Sequence, residues 1–309
     1  LSGFIDGKVK VTGSPSKICL HGALEPDAVF AFVPAVGEIF AIESKPILLE
    51  GNQVKLEEIQ LRPVKQEKPL TLHGTFNLFE PNASYADLQI KGNEVTILDS
   101  KRGKGQILYG KLIISPDITL RGKLSSPTIM GGIDLVGGTN ATFVNTKSKL
   151  KAKNNMAGVV VFTDFADTLF VNKETPVLPL TGGANIALNV HIDPAVRLGV
   201  DLDEGHQDYA TLQGGGDLRL RIPPYSEMSL IGNFDISGGG EIRYDIPVVG
   251  RKNFNIDPSS RVTWTGDILH PSISFKAIHR VRAEVVENKQ SRKVDFNVLI
   301  FAKEVEDGY

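Results

Sequence analysis

This sequence is short of cysteine, of aromatic residues, of long apolar runs and of helical pattern, and each shortage removes a class of protein. There is one cysteine, Cys19, so no internal disulfide scaffold can hold the fold. No apolar stretch is long enough to cross a membrane as a helix. Charge of one sign is also lacking. The 34 Lys and Arg face 36 Asp and Glu, giving a formal net charge of −2. A nucleic-acid partner would need a basic stripe to neutralise phosphates, and an acidic membrane surface would need a polybasic segment. Neither is present. Aromatics make up 7% of the chain, poor material for stacking on sugars. No three turns carry apolar residues at three- and four-residue spacing between caps. The best helical candidate, Asp27 to Val36, contains Pro34 and reads as a loop or one short turn. The chain begins at Leu1 without a Met or a signal peptide, so it reads as a piece whose targeting segment lies outside it.

What is present is alternation. With 41% hydrophobic and 23% charged residues over 309 positions, the chain has the material for a large buried surface and is not disordered. Ile118 and Leu120 alternate with Thr119 and Arg121. Ile186, Leu188, Val190 and Ile192 alternate with Ala187, Asn189 and His191. The same spacing recurs at Leu198, Val200 and Leu202, at Leu218, Leu220 and Ile222, at Val262 and Trp264, and at Ile273 and Phe275. Earlier pairs include Phe40 and Ile42, Val54 and Leu56, Leu88 and Ile90, and Leu112 and Ile114. A period of two means strands with one buried and one wet face. Turn formers separate them: Gly51-Asn52, Gly92-Asn93, Ser115-Pro116-Asp117, Ser126-Pro127 and Gly137-Gly138. Lys147 to Asn155 is polar and reads as a linker. It divides a repetitive segment, 1–150, from a C-terminal segment, 151–309, that continues the same pattern.

At this spacing the chain holds roughly 20 strands or more, and no amphipathic helix exists to cover their apolar faces. The sheet must cover itself, or keep a greasy interior for a ligand. The expectation is an all-β fold: a long, mostly antiparallel sheet folded lengthwise into a trough with an apolar interior. Stacked strands would make it roughly 90–100 Å long. Its lining would include Ile118, Leu120, Ile186, Leu188, Val190, Leu198, Val200, Leu218, Leu220, Val262 and Ile273. Long unpaired strand edges would then favour self-association of the isolated chain.

Catalytic and metal-binding patterns are weak. Asp201, Asp203, Glu204, His206 and Asp208 form the densest acidic cluster. Their spacing matches no calcium loop, and Asp201 and Asp203 fall on the wet face of the Val200 strand, so a polar hairpin is the reading. Gly214 to Gly216 and Gly238 to Gly240 lack a Walker lysine and a following helix, and read as turns or bulges. The six histidines have no metal-ligand spacing, with His191 facing outward. Asp235 and Glu241 are the one carboxylate pair worth considering for glycoside cleavage. No cofactor is implied, and the chain reads as non-catalytic.

The C-terminal half carries a more specific signature. Ile186-Ala-Leu-Asn-Val-His-Ile is followed by Leu212-Gln-Gly-Gly-Gly-Asp-Leu-Arg-Leu and Leu230-Ile-Gly-Asn-Phe-Asp-Ile-Ser-Gly-Gly-Gly-Glu-Ile-Arg-Tyr. Then come Phe254-Asn-Ile-Asp-Pro-Ser-Ser-Arg-Val-Thr-Trp-Thr-Gly-Asp and Pro271-Ser-Ile-Ser-Phe. This order resembles the C-terminal domain of the TamB family, subunits of the translocation and assembly module. Ser259 departs from it, standing where the family usually has Gly. The resemblance implies a half-pipe with an apolar lining, non-catalytic, in the periplasm, anchored in the inner membrane by a segment outside this chain. It implies phospholipid acyl chains as cargo between inner and outer membranes. It also implies support of outer-membrane protein assembly with a barrel-assembly partner of the TamA type. The family's closing strands, which would engage that partner, are expected to lie beyond this chain. Two other readings use the same alternation: a structural or adhesin-like β-solenoid with a dry closed core, and a carbohydrate-active β-helix enzyme.

Overall fold

The computed structural model describes residues 2–14, 17–33, 37–43, 45–77, 84–103, 106–144, 183–203, 205–246, 250–268, 271–287 and 290–303. These form nineteen strands and no helix. They are β1 (Ser2–Ser14), β2 (Lys17–Val33), β3 (Glu38–Glu43), β4 (Ile47–Gly51), β5 (Gln53–Pro63), β6 (Leu70–Asn77), β7 (Tyr85–Lys91), β8 (Val95–Ser100), β9 (Leu108–Lys123) and β10 (Ser126–Leu135). They continue with β11 (Asn140–Val144), β12 (Asn185–Ile192), β13 (Arg197–Asp201), β14 (Tyr209–Ile222), β15 (Ser229–Ile246), β16 (Gly250–Ile256), β17 (Arg261–Asp267), β18 (Ser272–Glu287) and β19 (Gln290–Lys303). Two expectations are corrected at once. From Asp27 to Val33 the helical candidate is the end of β2, where Val29, Ala31 and Val33 alternate inward, and its last three residues lie outside the described residues. Ser115-Pro116-Asp117 is no turn but the middle of β9.

Strand register reduces this list to a simpler object. β3 and β4 both pair with β2 on one side and β5 on the other, in the same register. They are two collinear segments of one lane. The pairs β7–β8, β10–β11, β12–β13 and β16–β17 likewise lie end to end along a shared neighbour, with register offsets of up to two residues at the break, so nineteen strands make fourteen lanes. Each lane pairs antiparallel with the next in sequence, except that β10–β11 runs parallel to β12–β13. A parallel neighbour requires a long crossover connection, and residues 145–184 connect Val144 at one end of its lane to Asn185 at the other end of the next. The linker expected at Lys147 to Asn155 lies outside the described residues. Fourteen lanes at about 4.8 Å give a sheet about 60 Å across, shorter than the strand count alone suggests.

Four of the five interruptions within lanes fall on one line across the sheet, and the fifth, between β3 and β4, lies opposite the register shift between Leu56 and Ile59 of β5. Along it lie the breaks at 92–94, 136–139, 193–196 and 257–260, with Pro116 of β9 and the register shift between Gln213 and Gly215 in the continuous lanes between them. Backbone bonds stitch neighbouring lanes across it. Gly92 N donates to Pro116 O (3.0 Å), Val136 N to Ile113 O (3.1 Å), Asp193 N to Leu135 O (3.0 Å), Gly214 N to Val196 O (3.1 Å) and Ile236 N to Ser260 O (3.0 Å). Two of the breaks are the same turn, Asp-Pro-x-x. In Asp193–Val196 and Asp257–Ser260 the Pro presets the second position. The Asp Oδ1 then accepts the backbone N–H two residues on, at 2.7 Å from Ala195 and 2.9 Å from Ser259. Six strands, β9, β10, β12, β14, β13 and β11, form a closed ring of pairings around this line.

Burial follows the line. Val95, Val196 and Ile236 are wholly buried beside it, as are Leu98 and Thr139 to within 1%. Most apolar residues farther along the same strands are half-buried, although Ala86, Ala141 and Val144 are buried as well. Several glycines serve close approach of the lanes. Gly131 and Gly232 have φ of +147° and +137°, and a Cβ there would meet a neighbouring carbonyl oxygen at 2.1 Å. An L side chain at either is therefore strained.

Ile236→Ala, on the line, is expected to cost about 2–5 kcal/mol. Leu220→Ala, on the half-buried wall, should cost less than half of that. Urea unfolding of the two variants against wild type checks the difference, and equal losses would mean that burial is uniform across the face.

Candidate functional site

The register assembles one continuous apolar face. A single row crosses nine lanes from β5 to β17: Ile59, Leu72, Ile90, Ile118, Gly131, Leu188, Leu220, Leu230 and Gly266. The row one residue away reads Gln60, Thr71, Lys91, Asp117, Gly132, Asn189, Arg219, Ile231 and Thr265. One face is thus apolar and the other mostly polar. Ion pairs tie the polar face between lanes, among them Arg121 with Asp87, His191 with Asp217 and Arg261 with Asp235.

The residues expected to line the interior fall on the apolar face. Ile118, Leu188 and Leu220 share the row above. Leu120 and Ile186 share the next, with Ile129 between them and Ile222 beyond. Val190 pairs with Leu218, Val262 with Ile273, Leu198 with Leu212 and Val200 with Ala210. Val262 belongs to a buried cluster with Ile192, Val196, Phe234, Ile236, Ile256 and Ala277. A second buried cluster gathers Leu49, Val54, Leu56 and Ile59. Between these two, Ile118, Leu120, Ile129, Ile186, Leu188, Leu220 and Ile222 belong to neither and stay half-buried. Phe143, opposite Val200 in register, is 49% exposed and Val200 37%. Phe143 was not foreseen, because one aromatic in Asn140-Ala-Thr-Phe-Val144 gives no alternation to read. Phe143 and Val200 thus expose apolar surface on this face.

The acidic cluster is a structural knot. Asp201 lies on the polar side as its parity requires, but it is not wet: its side chain is fully buried. Arg102 Nε donates to it at 3.0 Å and the Tyr109 hydroxyl at 3.1 Å, while His206 Nδ1 lies 2.5 Å away. The His206 ring stacks on Tyr209 at 4.7 Å. Burial, reinforced by the Asp201 carboxylate, pushes the Tyr109 phenol above its ordinary range. Asp203 organises the hairpin. Burial pushes its carboxyl upward, but N–H donors from Asp208, Gln207 and Gly205 outweigh that and hold it below the ordinary value.

Other chemical candidates do not assemble. Asp235 and Glu241 sit on one strand six positions apart, about 20 Å. Asp235 pairs with Arg261, and Glu241 accepts from the Tyr209 hydroxyl. Among the described residues no group of three His, Cys, Asp or Glu could hold a metal. Gly214 and Gly215 lie at a register shift in β14, the bulge anticipated for them. The extra residues of that shift fall in β15, where Gly238 lies between Asp235, opposite Gly215, and Gly239, opposite Gln213, so the second triplet also stands at the bulge.

Two outcomes follow for these polar devices. Asp201→Ala should cost about 2–3 kcal/mol by leaving charged and hydroxyl donors without their acceptor, read by denaturant midpoint. The Asp257 carboxyl is held at about 2, below its ordinary 3.8, chiefly by the Ser259 hydroxyl and N–H and then by Lys276. Its contribution is fully present above the ordinary value and lost as pH falls through about 2. The melting-temperature gap between wild type and Asp257→Asn should close as pH falls from 5 to 2, and a gap independent of pH would contradict this.

Ser259 is not among the residues of positive φ. The Asp257–Ser260 turn therefore needs no glycine at that position, and the departure noted in the sequence costs nothing. No match is found among curated proteins or among solved structures. A family model described as the TamB C-terminal domain matches residues 61–303, from the end of β5 through β19. The chain therefore belongs to the TamB C-terminal domain family, a periplasmic envelope family with transport and assembly roles in the translocation and assembly module.

Proposed function

We propose that this chain is a non-catalytic segment of a lipid-conducting trough. In this reading the sheet folds lengthwise along the line of interruptions, and its two walls face each other across an apolar groove. The groove holds phospholipid acyl chains in transit between inner and outer membranes, and so supports outer-membrane protein assembly. The family is associated with TamA, and a TamA-like barrel-assembly protein is the proposed outer-membrane partner. An inner-membrane anchor would lie outside this chain.

The observation that carries the proposal is the row from Ile59 to Gly266, apolar over nine lanes and half-exposed through its middle. Each acyl CH2 moved from water to such a wall recovers about 0.8 kcal/mol. Because each lane offers the same Val, Ile and Leu surface about 4.8 Å further on, a chain can advance without leaving a deep specific site. No step requires a reacting group.

A photo-crosslinking residue at Leu188, exposed to labelled phospholipid, should label strongly. The same residue at Asn189, one position along on the polar face, should label weakly. Equal labelling at both sites, or none at either, would contradict the groove, and none at either would favour a dry scaffold.

A further inference from the structure

We infer that the acyl groove runs obliquely across the strands, so that Leu120, Leu188 and Leu220 stand at one depth in it while Ile222, a row-mate of Leu120, stands nearer its lip. The inference rests on the acyl-chain reading above and deepens it, by assigning the part of the lipid that each side chain meets.

Measured from the apolar row that runs from Ile59 to Gly266, the interruptions of the sheet drift steadily to one side. The register shift of β5 ends on the row itself, at Ile59. β7 stops at Lys91, one residue past Ile90. Pro116 of β9 lies two residues from Ile118. β10 and β12 stop at Leu135 and Ile192, four residues past Gly131 and Leu188. The shift in β14 reaches Gly215, five residues from Leu220, and β17 starts at Arg261, five residues from Gly266. The displacement thus grows from none in β5 to five residues in β17, eight lane steps away. At about 3.3 Å per residue and about 4.8 Å per lane, the line crosses the rows at roughly 23°.

This line marks the floor of the groove. A regular ladder resists a sharp fold, and a sheet bends where bulges and breaks release it. A sheet that curls on itself also tilts its strands against the axis of the curl. Burial agrees, because Pro116, Ile192 and Gly215, which mark the line in three lanes, are all buried. Depth is therefore counted along each strand from the line and not from a row. Leu120 is four residues from Pro116, Leu188 four from Ile192 and Leu220 five from Gly215, whereas Ile222 is seven from Gly215. Ile222 stands about 10 Å farther from the floor than Leu120 does. Yet the two share one row, through Ile129 and Ile186. All four side chains are half-buried, so exposure alone does not separate them. The tail of an acyl chain seeks the apolar floor, and the polar headgroup stays hydrated at the lip.

The test uses the wild-type chain and a phospholipid carrying a diazirine on the last carbon of its acyl chain. After photolysis, modified residues are mapped by tandem mass spectrometry. Leu120, Leu188 and Leu220 should be modified to within about twofold of one another, and Ile222 to about a third of Leu120 or less, following their depths. Moving the diazirine to the headgroup should reverse the order of Leu120 and Ile222. Equal modification of these two row-mates by the tail probe, or an order unchanged by the headgroup probe, would overturn the oblique groove and leave the acyl-chain reading standing. Modification confined to the polar face, or none at all, would overturn both.

Discussion

Everything in this structure depends on register. A strand presents alternate residues to alternate faces, so a slip of one residue between neighbours would turn a strand's apolar set outward. Here the parity is kept through fourteen lanes. Where a lane is interrupted, the two segments resume so that apolar residues stay on the same side, as Val190 and Leu198 do about the turn at Asp193–Val196. From β5 to β17 one face accumulates Val, Ile and Leu. The other accumulates ion pairs.

That separation has an energetic consequence. Burial here is strongest along the line of turns and bulges, with further buried residues in β2 to β5 and at Ala86 and Val144. The side chains along the line hold the fold. Several of those beyond it, such as Ile118, Leu188 and Leu220, stay half-buried. The polar knot around Asp201 bears on the same economy. It ties the loop at Arg102 to the β13–β14 hairpin on the polar face.

Much of this was legible in the sequence where alternation is long. Ile186 to Ile192 reads as a strand with one greasy face, and its register partners from β10 and β14 agree. The TamB resemblance was legible in the ordered glycine and tryptophan segments. Three features were hidden for physical reasons. Pro116 looks like a turn former, yet it sits inside β9, on the line where a lane break leaves a ladder position open. Asp201 has the parity of a wet residue, and only the return of Arg102 and His206 across space buries it. Strand counting overestimated the width because a Pro or Gly-Gly turn reads the same whether it reverses the chain or steps it along one lane. Lone residues such as Phe143 carry no periodicity at all.

The central claim is that the apolar face is an occupied groove and not a dry core. Native mass spectrometry of the chain purified from cell envelopes tests it most directly. The account predicts bound phospholipid on the wild-type chain, lost when Leu188 and Leu220 are replaced by Asp and retained when Asn189 is. A folded wild-type chain that carries no lipid, or one whose lipid is unaffected by the Leu188 and Leu220 replacements, would contradict it.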